Sequence, residues 1–395
     1  MTTAQTDQPL VRGALDGLVI ADFSRVLAGP YATMLLADLG AEVIKIERPG
    51  TGDDTRAWGP PYGPDGGATY FDAVNRNKRS VTLDLRDEEQ RRLARSIAVR
   101  ADVVVENFLP GTMDRFGLGY ETLSADNPGL VYATITGFGQ QSSLPGYDLL
   151  VQAVGGLMSI TGPDPATPTK AGVALVDVIT GLHATVGILA AVRHRDANGQ
   201  GQRVDVNLMS SLLSALTNQA SAHLGAGVVP TAMGNRHPSI APYELFATAD
   251  RPMVLAVGND GQFRALVEEL GAPELAADPQ YATNDARVSH RESLVERLTG
   301  LLAADTARGW FDRLSAKGVP CGPVNDLAGA FGLAADLGLD PVVGIEDPRR
   351  AVSTPQVANP IRFSATPASY RTAPPRVGED SAEVTARHEE SLAGR

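Results

Sequence analysis

The first half of the chain alternates short apolar runs with segments of helical spacing, and few folds accommodate that alternation. Residues 18–22 (LVIAD), 42–47 (EVIKIE), 80–85 (SVTLDL), 102–106 (DVVVE), 130–136 (LVYATIT) and 203–206 (RVDV) read as strands. Helical spacing falls at 31–39, 87–100, 177–195 and 209–223. Strands joined through helices run parallel, and a parallel sheet needs helices on both faces. The expected fold is therefore α/β, a doubly wound, Rossmann-like parallel sheet. At 395 residues, 43% of them hydrophobic, the chain exceeds one ordinary core. Periodicity lapses at 230–242 and resumes with a strand at 253–257 and amphipathic helices at 284–304 and 306–317. This predicts a large domain over 1–225, a smaller α/β domain over 226–330, and a Pro-rich segment, 331–395, lying extended along the large domain.

Composition narrows the function. A formal charge of -12 argues against nucleic acid, whose binding needs a basic face. The single cysteine, Cys321, excludes an internal disulfide, and the six histidines show no ligand spacing, so no metal is expected. The first ten residues lack the pattern of an export signal, and no apolar run approaches the ~18 residues of a membrane span. A cytoplasmic protein with no membrane partner is the expectation. The first strand-to-helix turn, SRVLAGPYA, lacks the G-x-G-x-x-G that lets backbone approach a pyrophosphate, which argues against a dinucleotide cofactor.

One carboxylate demands a reason. Asp177 follows an apolar, strand-like run at 173–176 and precedes Leu182, Val186, Leu189 and Ala190 at helical spacing. An Asp at such a junction can cap the helix. It can also be a nucleophile at the carboxyl end of a strand, where open α/β sheets bind ligands.

Five blocks in order, FSRVLAGP (23–30), LGAEVIKIERPG (39–50), NKRSVTLDL (77–85), ADVVVENFLPG (101–111) and VALVDVITG (173–181), resemble the family III CoA-transferases, the CaiB/BaiF group. The likeness is dense over 15–205 and resumes through GVPCGPVND at 318–326. It implies that the large domain binds CoA and that Asp177 is the nucleophile. Attack on the donor thioester would give an aspartyl anhydride and CoA thiolate; the thiolate would return to give an aspartyl-CoA thioester, and the acceptor acid would reverse both steps. A helix N-terminus beside Asp177 would favour its ionised form, and free N–H groups there could hold developing charge.

The resemblance also assigns contacts. Arg48 matches an arginine against the adenine of CoA; Leu27, Ala28, Leu83, Asp84, Leu85 and Arg86 match contacts to the nucleotide end; and Asn107, Phe108 and Arg115 surround the pantetheine and phosphates. Tyr147 and Asp148 are counted with these CoA-binding residues. Coenzyme A is then a co-substrate, with no permanently bound cofactor; acyl-CoA and carboxylic acid are the substrates, and the assembly is an interlaced homodimer. The 2-methylacyl-CoA racemases of the family use a His before the Asp equivalent to Asp148, and here Tyr147, a poor base at neutral pH, stands there. The racemase is the alternative enzyme, and a non-catalytic acyl-CoA-binding protein the alternative of another class. Formyl-CoA transferases carry a glycine-run loop where this chain has GNRHPSIAPYE (234–244), a pattern more like transferases of succinyl-, glutaryl- or citramalyl-CoA. Arg236 and His237 in that loop are the residues expected to meet a distal substrate carboxylate. His183, on the helix after Asp177, is expected to be packed rather than catalytic.

Overall fold

The structure is a computed structural model that describes residues 13–393. Its centre is a six-stranded sheet of β1 (Val19–Asp22), β2 (Glu42–Glu47), β3 (Lys78–Thr82), β4 (Val103–Glu106), β5 (Val131–Thr136) and β6 (Arg203–Asn207). Every pairing is parallel and the order is β3-β2-β1-β4-β5-β6, the doubly wound Rossmann order. Alternate strand residues supply the two cores. Ile20, Val43, Val103, Val105 and Val131 face a core that includes Leu36 and Ile188, while Ala21, Ile44, Val104 and Tyr132 face one that includes Leu93 and Ile97.

The crossover elements are α1 (Ala28–Asp38), α2 (Thr69–Asp72), α3 (Glu88–Arg100), α4 (Thr112–Arg115), α5 (Tyr120–Asp126), α6 (Asp148–Val154) and α7 (Leu175–Asn198), and α8 (Leu208–Ala215) and α9 (Thr217–Ala226) follow the last strand. Local chemistry sets their ends. The Asp87 carboxylate accepts the Gln90 amide before α3, which carries Glu88 and Glu89 in its first turn and Arg100 in its last, in line with the helix dipole. Helices α1 and α7 pack closely because Gly181 lacks a side chain: a Cβ there would lie 2.7 Å from the Ala28 carbonyl oxygen.

Two compact units result. One comprises the described parts of 1–157, 171–228 and 340–395; the other comprises 158–170 and 229–339, so 158–170, read as large domain from the sequence, joins the second unit. The second unit has its own antiparallel sheet, β7 (Tyr243–Phe246), β8 (Met253–Ala256) and β9 (Cys321–Pro323), covered by α10 (Asp260–Glu269), α11 (Asn284–Ser289), α12 (Arg291–Leu302) and α13 (Ala307–Ala316), followed by α14 (Leu327–Asp336). The C-terminal segment returns to the first unit. It is not simply extended: it forms a hairpin, β10 (Val342–Ile345) with β11 (Thr354–Val357), and ends in α15 (Ser381–Ala393). Its irregular part is tied down by backbone bonds such as Ser369 N–H to Asp38 O at 2.8 Å and Asp380 N–H to Ser80 O at 3.0 Å.

Other expectations change with the structure. No strand forms at 173–176; the helix begins at Leu175, so Asp177 lies inside its first turn. The 209–223 helix breaks at Thr217, whose φ is 37°, and the 284–304 helix breaks at His290. Helix α7 is, by length and composition, long and apolar enough to cross a membrane, contrary to the sequence reading. Its interior hydroxyls bond back to its own backbone, Thr180 to Val176 O at 2.7 Å and Thr185 to Gly181 O at 2.8 Å, and nearly half of its apolar stretch is buried within the protein.

Candidate active site

The strand order reverses between β1 and β4, so the crossovers leaving them run to opposite faces and open a crevice at the carboxyl ends. A cleft of about 280 Å³ lies there. Leu27 and Ala28, expected with Arg86 at the nucleotide end, line this cleft instead from the turn after β1, Asn107 and Phe108 line it from the turn after β4, and Tyr147, Asp148 and Asp177 from α6 and α7. Asn107 fastens the β1 and β4 turns together: its Oδ1 accepts the Arg25 amide at 2.9 Å and its Nδ2 donates to the Arg25 carbonyl at 2.7 Å.

Asp177 is 9% exposed. Burial, and then the neighbouring Asp148 carboxylate, push its carboxyl up to about 7. Among the described residues, none donates a hydrogen bond to its side-chain oxygens. Asp177 is not the cap of its own helix. That role falls to Asp148, whose Oδ2 accepts the amides of Val176 at 2.7 Å and Asp177 at 3.1 Å. The remaining early amides of α7 are also taken, Leu175 by Val173 O at 2.8 Å and Val178 by Ala174 O at 3.2 Å. The expectation that this helix start favours the carboxylate and offers free N–H groups is thus overturned: an anion already occupies it, and that anion raises the Asp177 pKa. Gln152 holds Asp148 from α6 through its Nε2 and accepts the Ala171 amide through its Oε1 at 2.9 Å.

A second cleft, of about 400 Å³, adjoins the first through Arg25 and Phe108, which line both. Arg48, Leu83, Asp84, Leu85 and Arg86 line it, with Phe116. Its cations are held by carboxylates: Arg48 Nη2 donates to Asp54 Oδ1 at 3.0 Å, and Arg86 grips Asp84 with two bonds of 3.0 and 2.8 Å, keeping the Asp84 carboxyl down at about 2. Apolar walls beside guanidinium groups suit a planar, phosphate-bearing ligand.

Three expected site residues are not among the linings of these two clefts. Arg115 lines neither cleft; it is exposed on α4 and donates to the Thr112 hydroxyl at 3.0 Å. Arg236 and His237 belong to the second unit. There Arg236 pairs with Glu292 at 2.7 Å and Glu244 at 3.5 Å, and the His237 ring accepts the Ser239 amide at 3.1 Å and stands 5.1 Å from the Tyr243 ring. His183 is exposed on α7 rather than packed, its Nδ1 3.0 Å from the Ser211 hydroxyl.

Two site residues escaped the sequence reading. Arg25 stacks over Phe108, 4.9 Å from the ring centroid, and donates to Asp54 at 3.3 Å, the same carboxylate that holds Arg48. Its place in the block FSRVLAGP was the available signal. Tyr70 has its phenol pKa raised by burial and by the charges of Asp177 and Asp148, and packs edge-on to Trp58 at 5.1 Å; nothing in its sequence surroundings sets it apart. Among the described residues no group of three metal-ligating side chains occurs.

A desolvated carboxylate without hydrogen-bond partners, open to a cleft at the strand ends, is equipped to attack an acyl carbon. Comparison with known proteins agrees with that chemistry. The family described as CoA-transferase family III matches residues 15–381. The chain is 41% identical over 400 residues to a succinate–glutarate CoA-transferase of Agrobacterium fabrum, covering 97% of this chain and 98% of that protein. It is 42% identical over 326 residues to an acetyl-CoA:oxalate CoA-transferase of Acetobacter aceti, covering 82% and 83%. The crystal structure of a CaiB/BaiF family protein from Brucella suis superposes with a TM-score of 0.85 at 41% identity, covering 95% of this chain and 100% of that one. On this coverage and identity, the chain belongs to CoA-transferase family III.

Proposed function

We propose that this CoA-transferase moves CoA between dicarboxylic acids, with Asp177 as the nucleophile. The observation that carries the reading is the buried, unpartnered Asp177 carboxylate at the switch-point cleft. In the first step a carboxylate oxygen of Asp177 attacks the donor thioester carbonyl; the C–S bond breaks, leaving a mixed anhydride and CoA thiolate. The thiolate then attacks the Asp177 side-chain carbonyl, forming the aspartyl thioester and releasing the donor acid. The acceptor carboxylate attacks that thioester, expelling thiolate, which takes the acceptor acyl group and frees Asp177. Proton balance is kept throughout, because one carboxylate enters and one leaves. The cleft beside Arg48 and Arg86 is read as the seat of the nucleotide end of CoA, and the cleft at Asp177 as that of the thioester.

Dicarboxylates are favoured because the relatives named above act on glutarate, succinate or oxalate. Arg236 and His237 are proposed to meet the distal carboxylate; the Glu292 partner of Arg236 is largely exposed, and such a surface pair is weak enough for a substrate anion to displace. A homodimer is proposed as the working form, because α7 and α9 carry exposed Leu182, Val186 and Leu224, the last 85% exposed. The decisive assay offers wild type and Asp177→Ala a panel of CoA esters and free acids. Exchange restricted to dicarboxylates in the wild type and abolished in the variant supports the reading; preference for monocarboxylates, or an active variant, defeats it.

A further inference from the structure

Behind the Asp177 cleft lies a charge network that the chemistry above does not use. Lys45 on β2 and Lys78 on β3 are fully buried, as is Asp22, and Asp53 is 1% exposed. Most of their bonds converge on one turn, while Asp53 also caps residues 54–57 by accepting the Thr55 amide at 3.0 Å and the Thr55 hydroxyl at 2.8 Å. Lys45 Nζ donates to the Ser24 carbonyl at 2.8 Å and to Asp53 Oδ2 at 2.9 Å, and both Asp53 oxygens accept the Val26 amide at 3.3 Å. Asp22 accepts the Ser24 amide at 2.9 Å and the Thr33 hydroxyl at 2.7 Å, while Lys78 Nζ donates to Asp22 at 3.2 Å and to the Pro30 carbonyl at 2.9 Å.

The turn so held is strained. Val26 sits at φ 70°, the left-handed region, which a β-branched residue avoids. There is no slack around it, since a Cβ on Gly29 would lie 2.3 Å from the Ser24 side chain. Buried ion pairs are poor stabilisers compared with apolar packing, so stability alone does not account for two of them beneath one turn. What the turn carries does. Val26, Leu27 and Ala28 line the cleft with Asp177, and Leu27 packs in one cluster with Ala174 and Val178, which flank Asp177 in the chain.

We propose that Lys45 and Asp53, backed by Lys78 and Asp22, are positioning residues that hold the 24–30 turn in its strained form and so fix the cleft wall beside Asp177 for the reacting thioester. The proposal rests on the reading of Asp177 as nucleophile. It requires that loss of the network lower kcat rather than weaken CoA ester binding, and that the loss come from relaxation of Val26.

The test compares Lys45→Met/Asp53→Asn, which removes both charges and leaves neither unpaired, with the same pair carrying Val26→Gly, using succinyl-CoA and glutarate. The first variant is expected to lose about a hundredfold in kcat, the scale of an ångström-sized misplacement, with KM for succinyl-CoA changed by less than about threefold. Adding Val26→Gly removes the steric drive to leave positive φ and is expected to restore about tenfold of that loss, measured against Val26→Gly alone. Unchanged kcat in the first variant, or no recovery in the second, overturns the proposal. Should the charge-free variant not fold, Val26→Gly against Val26→Ala still decides: both lose the side-chain packing, and at φ 70° strain relief predicts the higher Tm for glycine, whereas an equal or higher Tm for alanine refutes the strained turn. Failure of the nucleophile reading would show separately, as turnover by Asp177→Ala.

Discussion

Asp148 and Asp177 are two carboxylates on neighbouring helices with divided work: Asp148 caps the helix that bears Asp177, and its charge, added to burial, pushes the Asp177 carboxyl up to about 7. The cap that starts this helix therefore also makes the proposed nucleophile more basic. A carboxylate of higher pKa attacks better and leaves worse, and a value near neutrality serves a reaction in which Asp177 must do both.

The pH profile follows. Asp177 attacks only when ionised, so kcat/KM for the CoA ester is expected to rise through a midpoint near the free-enzyme value of about 7 and level off above it. Replacing Asp148 by Asn removes the like charge but not the burial. The midpoint should move to lower pH while staying above the ordinary carboxylate range. A profile whose midpoint is unmoved by Asp148→Asn would remove the coupling from the account.

Stability should respond with the opposite preference. Because the folded-state value for Asp177 is raised from 3.8 to about 7, the folded protein holds a proton that the unfolded chain has lost between those limits, and stability falls as pH rises through them. Asp177→Asn removes that penalty. At pH 8 the variant is expected to be more stable by about 2–4 kcal/mol, a gain that fades toward pH 4. Thermal unfolding at both pH values checks it; equal Tm shifts at the two would contradict the raised pKa.

The parallel sheet was legible because buried strands such as EVIKIE, observed as β2 over Glu42–Glu47, set Val43, Ile44 and Ile46 between charged ends. The one charge inside that run, Lys45, was not interpretable: its partners, the Ser24 carbonyl and Asp53, come from two other segments. The same limit hid the cap of α7. Periodicity places a helix near Asp177, and Asp is a good cap, so local reasoning assigns the cap to Asp177 itself. The actual cap stands 28 and 29 residues away from the amides it accepts, and only the tertiary fold brings it there. For Arg115 the sequence offered a cation beside a CoA-binding motif, and the structure adds only its bond to the Thr112 hydroxyl of its own helix.

Substrate choice is testable at the second unit. Arg236→Ala and His237→Ala are expected to raise KM for glutarate or succinate by about tenfold or more, the worth of one charge-assisted contact, and to leave a monocarboxylate acceptor of similar length nearly unaffected. Equal losses for both acceptor classes would return Arg236 to the ion pairs with exposed Glu292 and buried Glu244 in which it is found.

The central claim is that the CoA moiety rests covalently on Asp177 between donor and acceptor. Wild-type protein incubated with succinyl-CoA without acceptor, then reduced with borohydride and digested, reports on it directly by peptide mass spectrometry. The account predicts reduction of a thioester to an alcohol at position 177, in the peptide spanning the start of α7, and its disappearance when glutarate is added before the reductant. Unmodified Asp177 in active protein given succinyl-CoA without acceptor, or a modification at any other side chain, would contradict it.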